Sequence, residues 1–202
     1  VIATIENRNL LTVLLHTAYV TTIYFDLAGY SILKQLGELK EDIALCKEAA
    51  KEVYLVFPRI FRANSRRCFE SVIKELSALP VDGFVVRNLE SAQFVKEQGL
   101  LTEKQLVADH SLYAYNDYAT EELHALSFDR VSVPLELNRK ELRHRKNETS
   151  EMLIYGHYPL MTSAQCVQFN VTGIHKAGML YLKDRYQVQF PVKSYCNDCY
   201  SV

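Results

Sequence analysis

The sequence predicts an α/β protein of the TIM-type (β/α) barrel class, incomplete at about seven βα units. Three observations carry this. Short β-branched and aromatic runs alternate with amphipathic helical stretches over the first 160 or so residues. The strand starts recur roughly every 20 to 30 residues, the length of one βα unit in a parallel sheet. No GxGxxG or Walker sequence is present, which counts against an open doubly wound sheet with its glycine-rich loop. A Rossmann-like open sheet is the alternative. The eighth strand has no counterpart in the pattern. It lies outside this sequence or is replaced by the tail. The expected division is a barrel-like domain over 1–163 and a cysteine-containing hairpin tail over 164–202, packed on the barrel.

Residues 2–5 open the pattern, followed by a helix carrying Leu10, Leu11, Leu14 and Leu15. Thr21 to Asp26 is the second strand. A helix over 33–50 follows, broken near Gly37. Glu52 to Phe57 is the third strand, stopped by Pro58. Ser65 is the expected N-cap of a helix with Phe69, Val72, Ile73 and Leu76 on one face, ended by Pro80. Residues 83–88 form the fourth strand, and a helix over 90–98 ends on Gly99. The fifth strand runs from Leu106 through Asp109 towards Tyr113. Thr120 caps a short helix. Residues 130–133 are the sixth strand, and Asn138 caps a basic helix to Lys146. Met152 to Tyr155 is the seventh strand.

With 202 residues and 49% hydrophobic content, the chain has enough apolar material for a core. A net charge of −1 argues against a generally basic nucleic-acid binder. No apolar run approaches the roughly 18 residues of a membrane span, so no membrane partner is expected. The chain begins at Val1, without methionine or signal sequence; either a tag was removed or this is an excised piece, and a cytoplasmic location is the expectation. Five cysteines in this length do not make a disulfide scaffold. They suggest reduced thiols or metal ligands.

In a (β/α) barrel, functional residues collect where strands end. That rule selects Glu6, Asn7, Arg8, Asp26, Arg59, Arg62, Arg87, Asn88, Asp109, Ser111, Tyr113, Glu136, Asn138, Tyr155, Gly156 and His157. Each competes with a capping role, most clearly Asn88 and Asn138. Asp109-His110-Ser111 does not make a hydrolytic triad, because neighbours on a strand point to opposite faces. Two arginine-rich stretches, 59–67 and 139–146, are candidate anion-binding faces, with a solvated surface as the plainer reading. Cys46 and Cys68 fall on helices as small buried hydrophobes. Cys196 and Cys199 form CxxC, which lets two thiolates share a divalent metal or a cluster edge, and Cys166 is a third candidate ligand. His157 and His175 are substitutes for a fourth.

The segment Tyr155-Gly156-His157-Tyr158-Pro159-Leu160-Met161 with Ser163-Ala164-Gln165-Cys166 resembles the peptidase U32 family, the collagenase-like proteases. So do Leu182-Lys183-Asp184-Arg185, Phe190-Pro191-Val192 and Cys196-Asn197-Asp198-Cys199-Tyr200. Weaker echoes are residues 56–62 and the strand with Asp109. The resemblance covers nearly the whole chain and is similar to the C-terminal barrel-like part of a longer member. It implies a bacterial hydrolase acting on peptide or collagen-like substrates by an unresolved mechanism, with an upstream U32 domain as its partner. Asp109, His157 and Glu151 are the catalytic candidates, Glu151 matching a glutamate of the family signature. Other U32-like proteins use an iron–sulfur cluster to assist hydroxylation of RNA or of a cofactor precursor. Cys166, Cys196 and Cys199 match that ligand pattern, while the expected fourth cysteine has no counterpart near 171–175. A third expectation is a non-catalytic substrate-binding module of the whole protein.

Overall fold

The computed structural model describes residues 1–30, 32, 35–157, 159–174, 176–195 and 200–202. The chain forms two compact units, residues 1–155 and 156–202. In the first, seven parallel strands lie in sequential order: β1 (Ile2–Ile5), β2 (Thr22–Asp26), β3 (Glu52–Val56), β4 (Gly83–Val86), β5 (Gln105–Ala108), β6 (Arg130–Ser132) and β7 (Ser150–Glu151). The sheet curls into a half-barrel, as the incomplete-barrel pattern predicts. Sequential order with right-handed crossovers puts every connecting helix on one face. These helices are α1 (Leu11–Leu15), α2 (Leu36–Glu48), α3 (Ala63–Ser71), α4 (Ile73–Ser77), α5 (Leu89–Glu97), α6 (Asp117–Ala125) and α7 (Arg139–Arg143).

Strand alternation sends one set of side chains to the helices and the other to the concave interior. Ile23, Phe25, Val53, Leu55, Phe84, Val86, Leu106 and Val131 face outward and pack with Leu39, Ile43, Phe69, Phe94 and Leu123 of the helices. Phe57, Phe61, Phe69 and Phe94 form one aromatic cluster, with Phe57 stacked on Phe69 at 4.8 Å. The interior set is Tyr24, Tyr54, Val56, Val85 and Val107. Gly83 sits beside Tyr54 in register, and a Cβ there would lie 2.5 Å from the Tyr54 ring and 2.4 Å from the Gln105 carbonyl. Glycine is what lets β4 pass that ring.

The interior is polar where the strands begin. Tyr24 donates to Glu151 Oε1 at 2.7 Å, and Arg130 Nη1 pairs with the same oxygen at 2.9 Å. This bond reaches across the concave side from β2 to β7. The Arg130 guanidinium also lies 4.8 Å over the Tyr54 ring, and Tyr54 donates to Gln105 at 2.7 Å. Burial and the Glu151 carboxylate both push the Tyr24 hydroxyl far above its ordinary range.

Several element ends differ from the sequence expectation. The seventh strand is Ser150–Glu151, not Met152 to Tyr155, and those four residues are all exposed. Their hydrophobicity marked a strand, yet no partner strand covers them among the described residues. Helix α2 runs through Gly37, which occupies its first turn, where a missing side chain costs little. Leu33, the expected start of that helix, lies outside the described residues. Helix α3 begins after Arg62, so Ser65 is buried inside it rather than capping it. Helix α6 is capped by Asn116, whose side chain accepts from Ala119 N, and Thr120 lies one turn further on. Asn88 and Asn138 cap as expected, Asn138 in a capping box with Glu141.

The second unit holds α8 (Val167–Thr172) and a three-stranded antiparallel sheet of β8 (Gly178–Lys183), β9 (Gln189–Tyr195) and β10 (Tyr200–Ser201). The β8–β9 hairpin matches the hairpin read from the sequence. Buried here among the described residues are Cys166, Ser194, Tyr200 and Ser201.

Replacing Tyr24 by Phe should cost about 1 kcal/mol, because Glu151 keeps Arg130. Glu151→Ala should cost about 3 kcal/mol or more, because it leaves a largely buried guanidinium without its partner. Urea unfolding of the two variants measures both; equal losses would show that the network does not act through the Arg130 charge.

Candidate functional site

The C-terminal ends of β2 to β5 bring four charges together. Asp26 ends β2, Arg59 follows β3, Arg87 follows β4 and Asp109 follows β5. Arg87 Nη1 lies 2.7 Å from Asp26 Oδ2, with both side chains less than a tenth exposed. Arg87 Nε lies 3.7 Å from Asp109 Oδ2, and Arg59 Nη1 lies 3.9 Å from Asp109 Oδ1. The first contact is a charge-assisted hydrogen bond; the other two are Coulombic only. Along the strands the order is acid, base, base, acid, and two of the three contacts skip a strand: Arg87 after β4 reaches Asp26 of β2, and Arg59 after β3 faces Asp109 after β5.

Local backbone holds each group. Asp26 Oδ1 accepts from Ala28 N at 3.0 Å. Gly29 lets this loop touch the β1 end, since a Cβ there would lie 2.2 Å from the Glu6 carbonyl. Asn88 donates to the carbonyls of Pro58 and Arg59 at 3.2 and 3.1 Å while its oxygen caps α5 at Ser91 N. One side chain therefore fixes both the arginine loop and the next helix.

Beyond Ala108 the chain leaves the strand and makes a 3-10 turn over His110–Leu112. The alternation argument against a triad therefore does not apply, because all three residues meet at one oxygen. Asp109 Oδ1 accepts from Ser111 N at 3.0 Å and Ser111 Oγ at 2.7 Å, and His110 Nδ1 lies 3.4 Å from it. Ser111 Oγ also lies 2.9 Å from the Arg87 carbonyl. Its single proton goes to one of these acceptors and not to His110. The arrangement is a carboxylate collecting donors, not a nucleophile–base–acid line. Burial opposes ionisation of Asp109, but the His110 bond and the Arg87, His110 and Arg59 charges outweigh it and hold the carboxyl well below its usual range. Tyr113 ends the turn in the left-handed region at φ 54°, an uncommon conformation for a tyrosine. Its ring stacks on Tyr115, 5.9 Å away.

The other sequence candidates scatter. Glu151 is committed to Tyr24 and Arg130 in the interior. His157 is exposed in the second unit. Cys166 is buried there, its Sγ accepting from Phe169 N at 3.5 Å at the start of α8. Cys196, Cys199 and His175 lie outside the described residues, as does Tyr158. Among the described residues, no group of three or more His, Cys, Asp or Glu side chains is placed to hold a metal ion. Asn7 caps the 3-10 turn over Arg8–Leu10. Arg66 is paired with Glu70 and Glu97, which dilutes the first arginine-rich stretch.

Sequence reasoning missed a second cluster near β1. Arg8 Nη2 pairs with the fully buried Asp42 at 2.8 Å, and Tyr30 donates to Asp42 at 3.4 Å. Burial raises the Asp42 carboxyl against the pull of Arg8. The available signal was an aspartate on the apolar stripe of α2, between Leu39, Ile43 and Cys46.

This architecture defines a parallel (β/α)-barrel protein with a charged strand-end site, and no described helix is long and apolar enough to cross a membrane. The structure is similar to one assigned as a fructose-1,6-biphosphate aldolase from Coccidioides immitis, at a TM-score of 0.50 and 13% identity. The match covers 71% of this chain and 58% of the aldolase, and it speaks to the fold alone. The chain belongs to peptidase family U32, whose model matches residues 28–179. Among curated proteins, none matches the sequence.

Because the folded Asp109 carboxyl is depressed, its stabilisation is present above the unfolded value of about 4 and fades as pH falls below it. Asp109→Asn should be about 2 kcal/mol less stable at pH 7, with the gap to the parent narrowing steadily below pH 4. A gap independent of pH in chemical denaturation would show that ionisation of Asp109 is not what stabilises the turn.

Proposed function

We propose that this chain is the substrate-holding barrel of a U32 peptidase, taking peptide or collagen-like segments at the strand ends. Bond cleavage is then a property of the whole protein, with an upstream U32 domain as the partner. The observation that carries this reading is the state of Asp109. A carboxylate held ionised by two arginines and a histidine, with Ser111 bonded to it, has neither a proton to give nor an activated nucleophile beside it. It does keep Arg59 and Arg87 oriented at the end of the sheet. Guanidinium groups placed this way suit backbone carbonyls and acidic groups of an extended peptide. Family membership supports the peptide class; the geometry supports holding over cutting.

In the full-length protein, Arg59→Met should raise KM for gelatin-derived peptides severalfold to tenfold and leave kcat within about twofold, since uniform binding is lost. Loss of kcat at unchanged KM would place Arg59 in the chemical step and overturn the reading. Absence of any peptide cleavage or peptide binding by the full-length parent would overturn the substrate class.

A further inference from the structure

Arg145 is the one buried arginine whose charge the described residues do not offset with a paired carboxylate. The residue is 7% exposed. Its Nη1 donates to Asn147 Oδ1 at 3.0 Å and Ser150 Oγ at 3.1 Å, and its Nη2 donates to Thr120 Oγ1 at 2.8 Å. All three acceptors are neutral. Nε is buried with no hydrogen-bond partner. Arginine does not escape burial by losing its proton, so the charge stays, and an uncompensated buried charge is costly. Burial pulls its proton affinity down, with Asp117 the opposing influence.

Arg145 lines a recess of about 430 Å³ together with Tyr115, Tyr118, Leu137, Asp117 and His144. The volume falls within the range of small-molecule sites. Two carboxylates, Asp117 and Glu141, also line it, each oriented by a backbone N–H that leaves its charge in place. Asp117 Oδ1 accepts from Lys146 N at 2.8 Å, and Glu141 Oε2 accepts from Asn138 N at 2.8 Å. His144 Nδ1 is bonded to the Lys140 carbonyl at 2.7 Å, and Lys146 pairs with Glu121 at 3.1 Å. Tyr118, 84% exposed, and Tyr115, 43% exposed, give the recess flat apolar walls.

We propose that this recess binds a small organic anion, with Arg145 as its counter-charge and Tyr115, Tyr118 and Leu137 against its body. The ligand class is a carboxylate or a phosphate monoester carrying a flat apolar group. The buried guanidinium, hydrogen-bonded to neutral oxygens alone, supplies the counter-charge against the two lining carboxylates, and the tyrosines supply stacking area. This site lies on the loops after β5 and β6 and does not depend on the peptide reading of the strand ends.

The test is calorimetric titration with phenyl phosphate, benzoate and inorganic phosphate, each against chloride at matched ionic strength. Arg145 ties α6 to the segment before β7, so the rim is substituted instead: Tyr118→Ala and Leu137→Ser. Saturable binding of phenyl phosphate or benzoate, weakened about fivefold or more in Tyr118→Ala, supports the site. Whichever binds tighter identifies the anion as phosphate or carboxylate. The proposal is overturned if neither binds at millimolar concentration or if both rim variants bind as the parent does. Inorganic phosphate binding as tightly as phenyl phosphate overturns it too, because the walls would then contribute nothing.

Discussion

Charges on strands that curl around an interior must meet other charges there, and this requirement shapes both ends of the half-barrel. A carboxylate or guanidinium taken from water needs a partner or costs several kcal/mol. At the strand starts, Arg130, Glu151 and Tyr24 satisfy one another across the concave side. At the strand ends, Asp26, Arg87, Asp109 and Arg59 form a second alternating set. Val56, Val85 and Val107 share the interior with them, in a paired row that runs from Asp26 to Arg130. Tyr24 bridges β2 to β7, which shows that the interior side chains, and not backbone pairing alone, join distant parts of the sheet.

Much of this was legible in the chain. Six β-branched or apolar runs at βα spacing announced six of the seven parallel strands, because strands buried on both faces read as apolar runs. Asn88 and Asn138 were readable as caps because an asparagine just ahead of an amphipathic stretch has a local job. Where reading failed, a tertiary fact had intervened. Met152 to Tyr155 has the composition of a strand, but a strand needs a neighbour to bond to, and β7 ends at Glu151. Ser65 and Thr120 have capping chemistry, but Arg62 and Asn116 stand where the helices start.

The site was legible as a list and not as a constellation. Strand-end position picked out Asp26, Arg59, Arg87 and Asp109 without saying which would touch. Register settles one contact: Val86 pairs with Ala108, so Arg87 and Asp109 arrive side by side. The others depend on side-chain reach, since Asp26 pairs with Val56 and meets Arg87 across β3. The turn after Ala108 was missed because Leu112-Tyr113 resumes an apolar pattern beyond Asp109-His110-Ser111, while the side-chain bonds of Asp109 to Ser111 close the turn between them. Asp42 was missed, and Arg145 was read only as one charge of the 139–146 basic stretch, for a shared reason. A charged residue on a helix or a connecting loop reads as solvated, and only packing shows that it is buried.

The two arginine settings imply different kinds of work. At the strand ends each guanidinium has a carboxylate near it, and the set is close to neutral. Such a set orients donors without attracting charge, which suits an extended peptide whose recognition rests on hydrogen bonds and shape. Arg145 sits among neutral acceptors, with its charge offset by no pair among the described residues. The proposed anion site rests on that setting, since a guanidinium bonded only to neutral oxygens keeps more of its charge for a ligand than one in contact with a carboxylate. The two proposed sites therefore differ in what holds the guanidinium: Asp26 in direct contact with Arg87 at the strand ends, neutral oxygens at Arg145, where Asp117 and Glu141 line the recess without pairing with it.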